Sequence, residues 1–220
     1  MQLTNEQLDT LQELVNIGVG RSAGVLNEMI GSPICLRIPY IKLLSPEQLP
    51  SELEKCFDGD LLSTVSLNFS GSFSGTAELI FPTESASTLV SVITGENPDP
   101  LDLDTVKIGT LLEVGNIVLN GIMGSLSNML KNHLEYSLPS YTEGKLGNLF
   151  SAKQLENNAS VMLAHTRFAI EQLQIAGNII LIFKVGSFDA MLRAIDRAFG
   201  GNDERDPDCS EGIWHSRSVS

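Results

Sequence analysis

The chain has 220 residues, 42% of them hydrophobic, and a formal charge of −13 from 14 basic and 27 acidic side chains; that length can bury one sizeable core or two small ones. Its mean hydropathy of +0.09 and pI near 4.5 exclude nucleic acid as a partner, since displacing counterions needs clustered Lys and Arg and these are scattered. No uninterrupted apolar run approaches the roughly 20 residues that span a bilayer, and Met1-Gln2-Leu3-Thr4-Asn5-Glu6 lacks the basic start of a signal peptide, so a cytoplasmic protein without membrane contact is expected.

Thr4-Asn5-Glu6-Gln7 fits a capping box, with Thr4 as N-cap and Gln7 reaching back, and predicts a helix from there to about Ile30, ended by Gly31-Ser32-Pro33. Gly18, Gly20 and Gly24 lie inside it, each costing about 1 kcal/mol relative to Ala. Either another backbone passes close by or the helix merely tolerates weak formers. Ile34-Cys35-Leu36-Arg37-Ile38 alternates as a strand that Pro39 is expected to stop, with Cys35 a small packed residue. A loop carrying Pro46 follows, from Leu44 to Asp60, with a short helical turn.

Leu61–Phe69 and Thr76–Phe81 read as an antiparallel hairpin around Ser70-Gly71-Ser72-Phe73-Ser74-Gly75. The alternative, a phosphate-cradling loop, is disfavoured because the loop opens no helix. Pro82-Thr83-Glu84 starts a helix closed by Gly95, and Glu96-Asn97-Pro98-Asp99-Pro100 is a linker. The plan then repeats. A second long helix runs from about Asp102 or Asp104 to Lys131, Tyr136-Ser137-Leu138 precedes Pro139, and a variable loop extends to Asn158. Ser160–Ile170 and Asn178–Phe183 form a hairpin, and Phe188–Phe199 is the last helix. The polar tail, with Trp214 in it, is expected to be disordered rather than a docking peptide. Cys35, Cys56 and Cys209, like His133, His165 and His215, share no metal-type spacing and indicate neither zinc nor a disulfide framework.

The repetition is specific. Between 9–39 and 109–139, nine of 31 ungapped positions are identical: Thr10, Leu11, Glu13, Asn16, Ile17, Gly24, Leu26, Met29 and Pro39 in the first copy. Gly75-Thr76-Ala77-Glu78-Leu79-Ile80-Phe81 corresponds to Gly177-Asn178-Ile179-Ile180-Leu181-Ile182-Phe183, 102 residues on. The chain is therefore an internally duplicated α-β-β-β-α unit. The expected fold is α+β, a largely antiparallel sheet shared by both halves with two long helices on the outside. It forms one domain over 1–201, made of repeats at about 4–95 and 102–201, before a tail over 202–220.

Packing obliges a duplicated fold to repeat its core, but not a polar pair. With Asp9 set at zero on a helical wheel, Glu13 falls near 40° and Asn16 near 340°, whereas Leu8, Leu11, Leu14 and Val15 fall between about 140° and 260°. The polar stripe therefore faces water or a partner. In the second copy Ile108, Leu111, Leu112 and Val114 take the buried side, and Glu113 and Asn116 keep the outer stripe. Asn120 falls near 20° on that stripe, where the first copy has Gly20.

The pattern Asp or Ser, three residues, Glu, two residues, Asn, 22 residues, Pro resembles the signature of the CheC, CheX and FliY phosphatases of chemotaxis, and the duplicated layout is closer to CheC than to the larger FliY. Asp9, Glu13, Asn16 and Pro39 match every position. Glu113, Asn116 and Pro139 match three of four, with Gly109 in the first place. The resemblance implies removal of phosphate from the aspartyl phosphate of a CheY-like response regulator. Glu13 and Glu113 would pair with the regulator's lysine, while Asn16 and Asn116 would align the attacking water. Asp9, Asn120, Pro39 and Pro139 would shape the docking surface. No cofactor of the chain's own is expected, Mg²⁺ being the regulator's. The departure at Gly109 ranks the first site above the second. Two other readings are a non-catalytic adaptor that binds a regulator or a CheD-like deamidase, and a structural adaptor like the flagellar switch proteins.

Overall fold

The computed structural model describes residues 3–31, 33–57, 61–95, 105–150, 159–170 and 173–199, so the linker, the tail and Trp214 lie outside the described residues. The Thr4 side chain accepts from the Gln7 backbone and the Gln7 side chain accepts from the Thr4 backbone, both at 3.1 Å. This closes the capping box and starts α1 (Asn5–Ile30) where the sequence places it. Gly31 ends the helix at φ 70, a left-handed conformation that glycine adopts without a Cβ clash. The Ile34 amide then donates to Asn27 Oδ1, tying the helix end to the first strand.

The first half continues with β1 (Ile34–Leu44), α2 (Leu49–Glu54), β2 (Leu61–Gly71), β3 (Gly75–Pro82) and α3 (Thr83–Thr94). The second contains α4 (Thr105–Met129), β4 (Leu134–Tyr136), β5 (Ser140–Lys145), α5 (Leu146–Leu149), β6 (Ser160–Ile170), β7 (Leu173–Phe183) and α6 (Ser187–Phe199). All strands join one seven-stranded sheet, ordered β1-β6-β7-β3-β2-β4 with β5 also on β2, and every pairing is antiparallel.

The order is symmetric about β7 and β3, the two strands that correspond in the repeat. Glu78 pairs with Ile180, its own equivalent 102 residues on, so a pseudo-twofold axis passes between these two residues. Each half's first strand is exchanged: β1 is added to β6 of the second half, and β4 with β5 to β2 of the first.

Both prolines act differently from a strand stop. β1 continues through Pro39 to Leu44, and its register against β6 slips by one residue between Arg37 and Tyr40. In the second copy Pro139 separates β4 from β5, and the register against β2 again shifts by one across it. A residue without an N–H cannot donate to the ladder, so each proline occupies a bulge or break rather than ending the strand. The variable loop expected after Pro139 likewise opens with β5 and α5. β7 begins at Leu173, before the Asn178 start read from the sequence.

The main core lies between the sheet and α1, α3, α4 and α6, where Leu11, Leu14, Val15, Val114, Val118 and Ile122 are all at most 2% exposed. At 25 residues and a hydropathy of 1.3, α4 is long and apolar enough by composition to cross a membrane, although interrupting polar residues and glycines hide this from a count of apolar runs. In this fold its apolar face is the core itself. A smaller cluster on the other face of the sheet joins Leu49, Leu53, Phe57 and Phe150 to Leu62, Ile80, Leu163 and Ile180. Cys35 is exposed rather than packed, because on β1 it alternates with the buried Ile34 and Leu36.

Candidate functional site

α1 and α4 lie against each other and run in opposite directions. A Cβ on Gly18 would come within 2.5 Å of Ile122 Cα, and one on Gly121 would collide with Ser22 Oγ. Ser22 Oγ is 3.0 Å from the Gly18 carbonyl and 3.1 Å from that of Ile117, so the two backbones nearly touch. Of the three glycines singled out in the first helix, only Gly18 serves this approach. A Cβ on Gly20, Gly24 or Gly124 would meet nothing within 4 Å.

This crossing turns the polar stripes outward. Asp9 and Glu13 are exposed on α1 and Glu113 is exposed on α4, while Asn16, Asn116 and Asn120 are half-buried. Gly109 is exposed where the first copy has Asp9. Gly18 sits beside Ile122 and Ser22 beside Ile117 and Val118. Continuing that antiparallel register places Asn16 level with Gly124, and Asn116 level with Gly24. Each amide thus stands near a glycine of the other helix that internal packing does not require. Sequence reading attributed Gly24 to the helix crossing. The signal that points elsewhere is its recurrence as Gly124, on the outer side of the wheel.

The two copies differ in how the amide is held. Asn120 Nδ2 donates to Asn116 Oδ1 at 2.6 Å, and Asn120 Oδ1 is buried with no partner. Asn120 therefore spends its donor on its neighbour one turn back, whereas Gly20 offers Asn16 no such group. Pro39 and Pro139 lie in the sheet at the equivalent irregularities already described. Among the described residues, no three His, Cys, Asp or Glu side chains are grouped as a metal site requires.

An antiparallel sheet built by duplication, carrying twin helices with an outward Glu and Asn on each, defines a class of protein. The chain is CheC-like in sequence and fold, within the CheC/CheX/FliY group. The CheY-P phosphatase CheC of Bacillus subtilis is 29% identical over 160 residues, covering 70% of this chain and 74% of that protein. FliY of Thermotoga maritima superimposes with a TM-score of 0.73 at 18% identity, covering 90% of this chain and 100% of that one. The FliM middle domain of H. pylori gives 0.65 at 10% identity, covering 87% and 99%. A CheX–CheY–BeF3–Mg complex from Borrelia burgdorferi gives 0.50 at 19% identity, covering 79% and 99%. No family model matches the chain.

Proposed function

We propose that this protein is a phosphatase of the aspartyl phosphate on a CheY-like receiver domain, acting in the cytoplasm through two sites, Glu13 with Asn16 and Glu113 with Asn116. The carrying observation is the recurrence of an outward acid and amide at equivalent positions of two helices where the core makes no demand for either. Support comes from the similarity to a protein named a CheY-P phosphatase.

The chemistry follows from the residue types. Receiver domains carry a phosphorylated aspartate beside a lysine and Mg²⁺, and the exposed Glu13 or Glu113 carboxylate can accept a charge-assisted hydrogen bond from that lysine, setting the register of docking. The amide of Asn16 or Asn116 is neither acid nor base at neutral pH. Its role is to bind the attacking water and align it with phosphorus, a positional contribution. If that alignment speeds hydrolysis about a hundredfold, it lowers the barrier by about 2.7 kcal/mol, within reach of one well-placed polar group. Mg²⁺ belongs to the receiver in this reading, and the chain supplies no cofactor. Asp9 adds an acidic docking contact at the first site, which Gly109 cannot at the second.

The test is the decay of phosphate on the cognate receiver with sub-stoichiometric protein. Asn16→Ala together with Asn116→Ala should abolish the acceleration and leave binding nearly intact. A second reading, a non-catalytic adaptor for a receiver or a CheD-like deamidase, has one observation in its favour: FliM middle domains share the fold. Tight receiver binding with unchanged phosphate decay would establish that reading instead.

A further inference from the structure

The outer stripes differ at Asn120, which stands where the first copy has Gly20. Residues four apart on a helix lie one above the other. The Asn120 side chain accordingly reaches Asn116, donating through Nδ2 to its Oδ1 at 2.6 Å. That bond leaves Asn120 Oδ1 buried and unpartnered, a cost to the folded state. A half-buried amide that satisfies its neighbour and not itself is poorly explained by stability or by direct docking. We propose that Asn120 is a positioning residue for the second site, fixing the rotation of the Asn116 amide before a receiver arrives, and that the first site lacks this device because Gly20 has no side chain.

This rests on reading Asn116 as the water-aligning group. The donated bond occupies one lone pair of Asn116 Oδ1 and holds the amide plane. The other lone pair and the Nδ2 hydrogens remain for solvent at the site. Ordering one rotor in advance changes the reactive fraction rather than the affinity, so the effect belongs in kcat.

The experiment isolates each site. In an Asn16→Ala background, where only the second site operates, Asn120→Ala should lower kcat about 3- to 10-fold, the scale of freezing one side chain, with KM for the phosphorylated receiver unchanged. In an Asn116→Ala background, Gly20→Asn should raise kcat of the first site by a similar factor. The position is helical and a Cβ there meets nothing within 4 Å. Side-chain ¹⁵N relaxation provides a readout independent of activity: the Asn116 NH₂ should be rigid in the parent and mobile after Asn120→Ala. An unchanged kcat, an effect confined to KM, or an Asn116 amide equally rigid in both proteins overturns the proposal. Wild-type protein that fails to accelerate phosphate loss overturns the phosphatase reading instead, and the positioning role of Asn120 with it.

Discussion

Glu78 is the acid whose replacement should most improve the fold at neutral pH. It sits in β3 between Ser66 of β2 and Ile180 of β7, on the sheet face covered by α2 and α5, and its Oε2 is buried with no partner. Burial pushes its carboxyl from 4.5 up to about 7. A raised carboxyl means that the folded chain holds the proton more tightly than the unfolded one. Below about pH 4.5 both states are protonated and the group costs nothing. Between 4.5 and 7 the unfolded state ionises alone, so stability falls by about 1.4 kcal/mol per pH unit, reaching a deficit on the order of 3 kcal/mol above pH 7. Glu78→Gln removes the ionisation while nearly preserving shape. Urea unfolding of both proteins from about pH 4.5 to about pH 8 should show matching stabilities at the acid end and a growing advantage for the Glu78→Gln variant above it. His165, linked to Asn178 through a 2.7 Å contact on the same face, titrates in both proteins and cancels in the difference. Parallel pH curves would refute the reasoning, since they would mean that Glu78 ionises in the folded state as easily as in the unfolded one.

Two further predictions concern the helix pair. Gly18→Ala should destabilise the protein by at least about 1–3 kcal/mol in chemical denaturation, because the added methyl meets Ile122 backbone at 2.5 Å and the helices must part. Gly24→Ala and Gly124→Ala should instead stabilise by about 0.5–1 kcal/mol each, since those positions are open and alanine is the better helix former. Trp at either position should leave the fold intact and raise KM for the phosphorylated receiver by crowding the surface beside each amide.

Much of this was legible in the sequence, because it was written twice or in local chemistry. The capping box fixed the start of α1 through two short-range bonds, and Pro82 and Gly95 bracketed α3 by the conformations each favours. The apolar and polar faces of α1 and α4 followed from period alone. What stayed hidden depends on partners distant in the chain. Strand exchange between β1 and β6 leaves no local mark, so Pro39 looked like an end when the ladder beyond it was intact. Gly18, Gly20 and Gly24 are chemically identical on paper, and only the position of α4 distinguishes the one that packs from the two that do not. The Asn116–Asn120 bond was accessible from the i, i+4 spacing, but reading Asn120 as pointing to a partner overlooked its nearest neighbour.

The geometry of this fold constrains where function can be argued from. The inner faces of α1 and α4 must match the sheet, and exchange of first strands makes each half's packing a property of both halves. A fold so determined survives large sequence change, as similarity to a FliM middle domain at 10% identity illustrates. Fold likeness therefore separates a phosphatase from an adaptor only weakly. The outer stripe is different, because helix and core are satisfied whatever stands there. Asn has low helix propensity and glycine costs about 1 kcal/mol, so neutral drift on a solvated face favours neither. Yet Glu13, Asn16 and Gly24 all reappear as Glu113, Asn116 and Gly124, and each glycine is open. A requirement that acts equally on both helices and is absent from the core must come from outside the chain, and a partner that needs an acid, an amide and clearance beside them meets it.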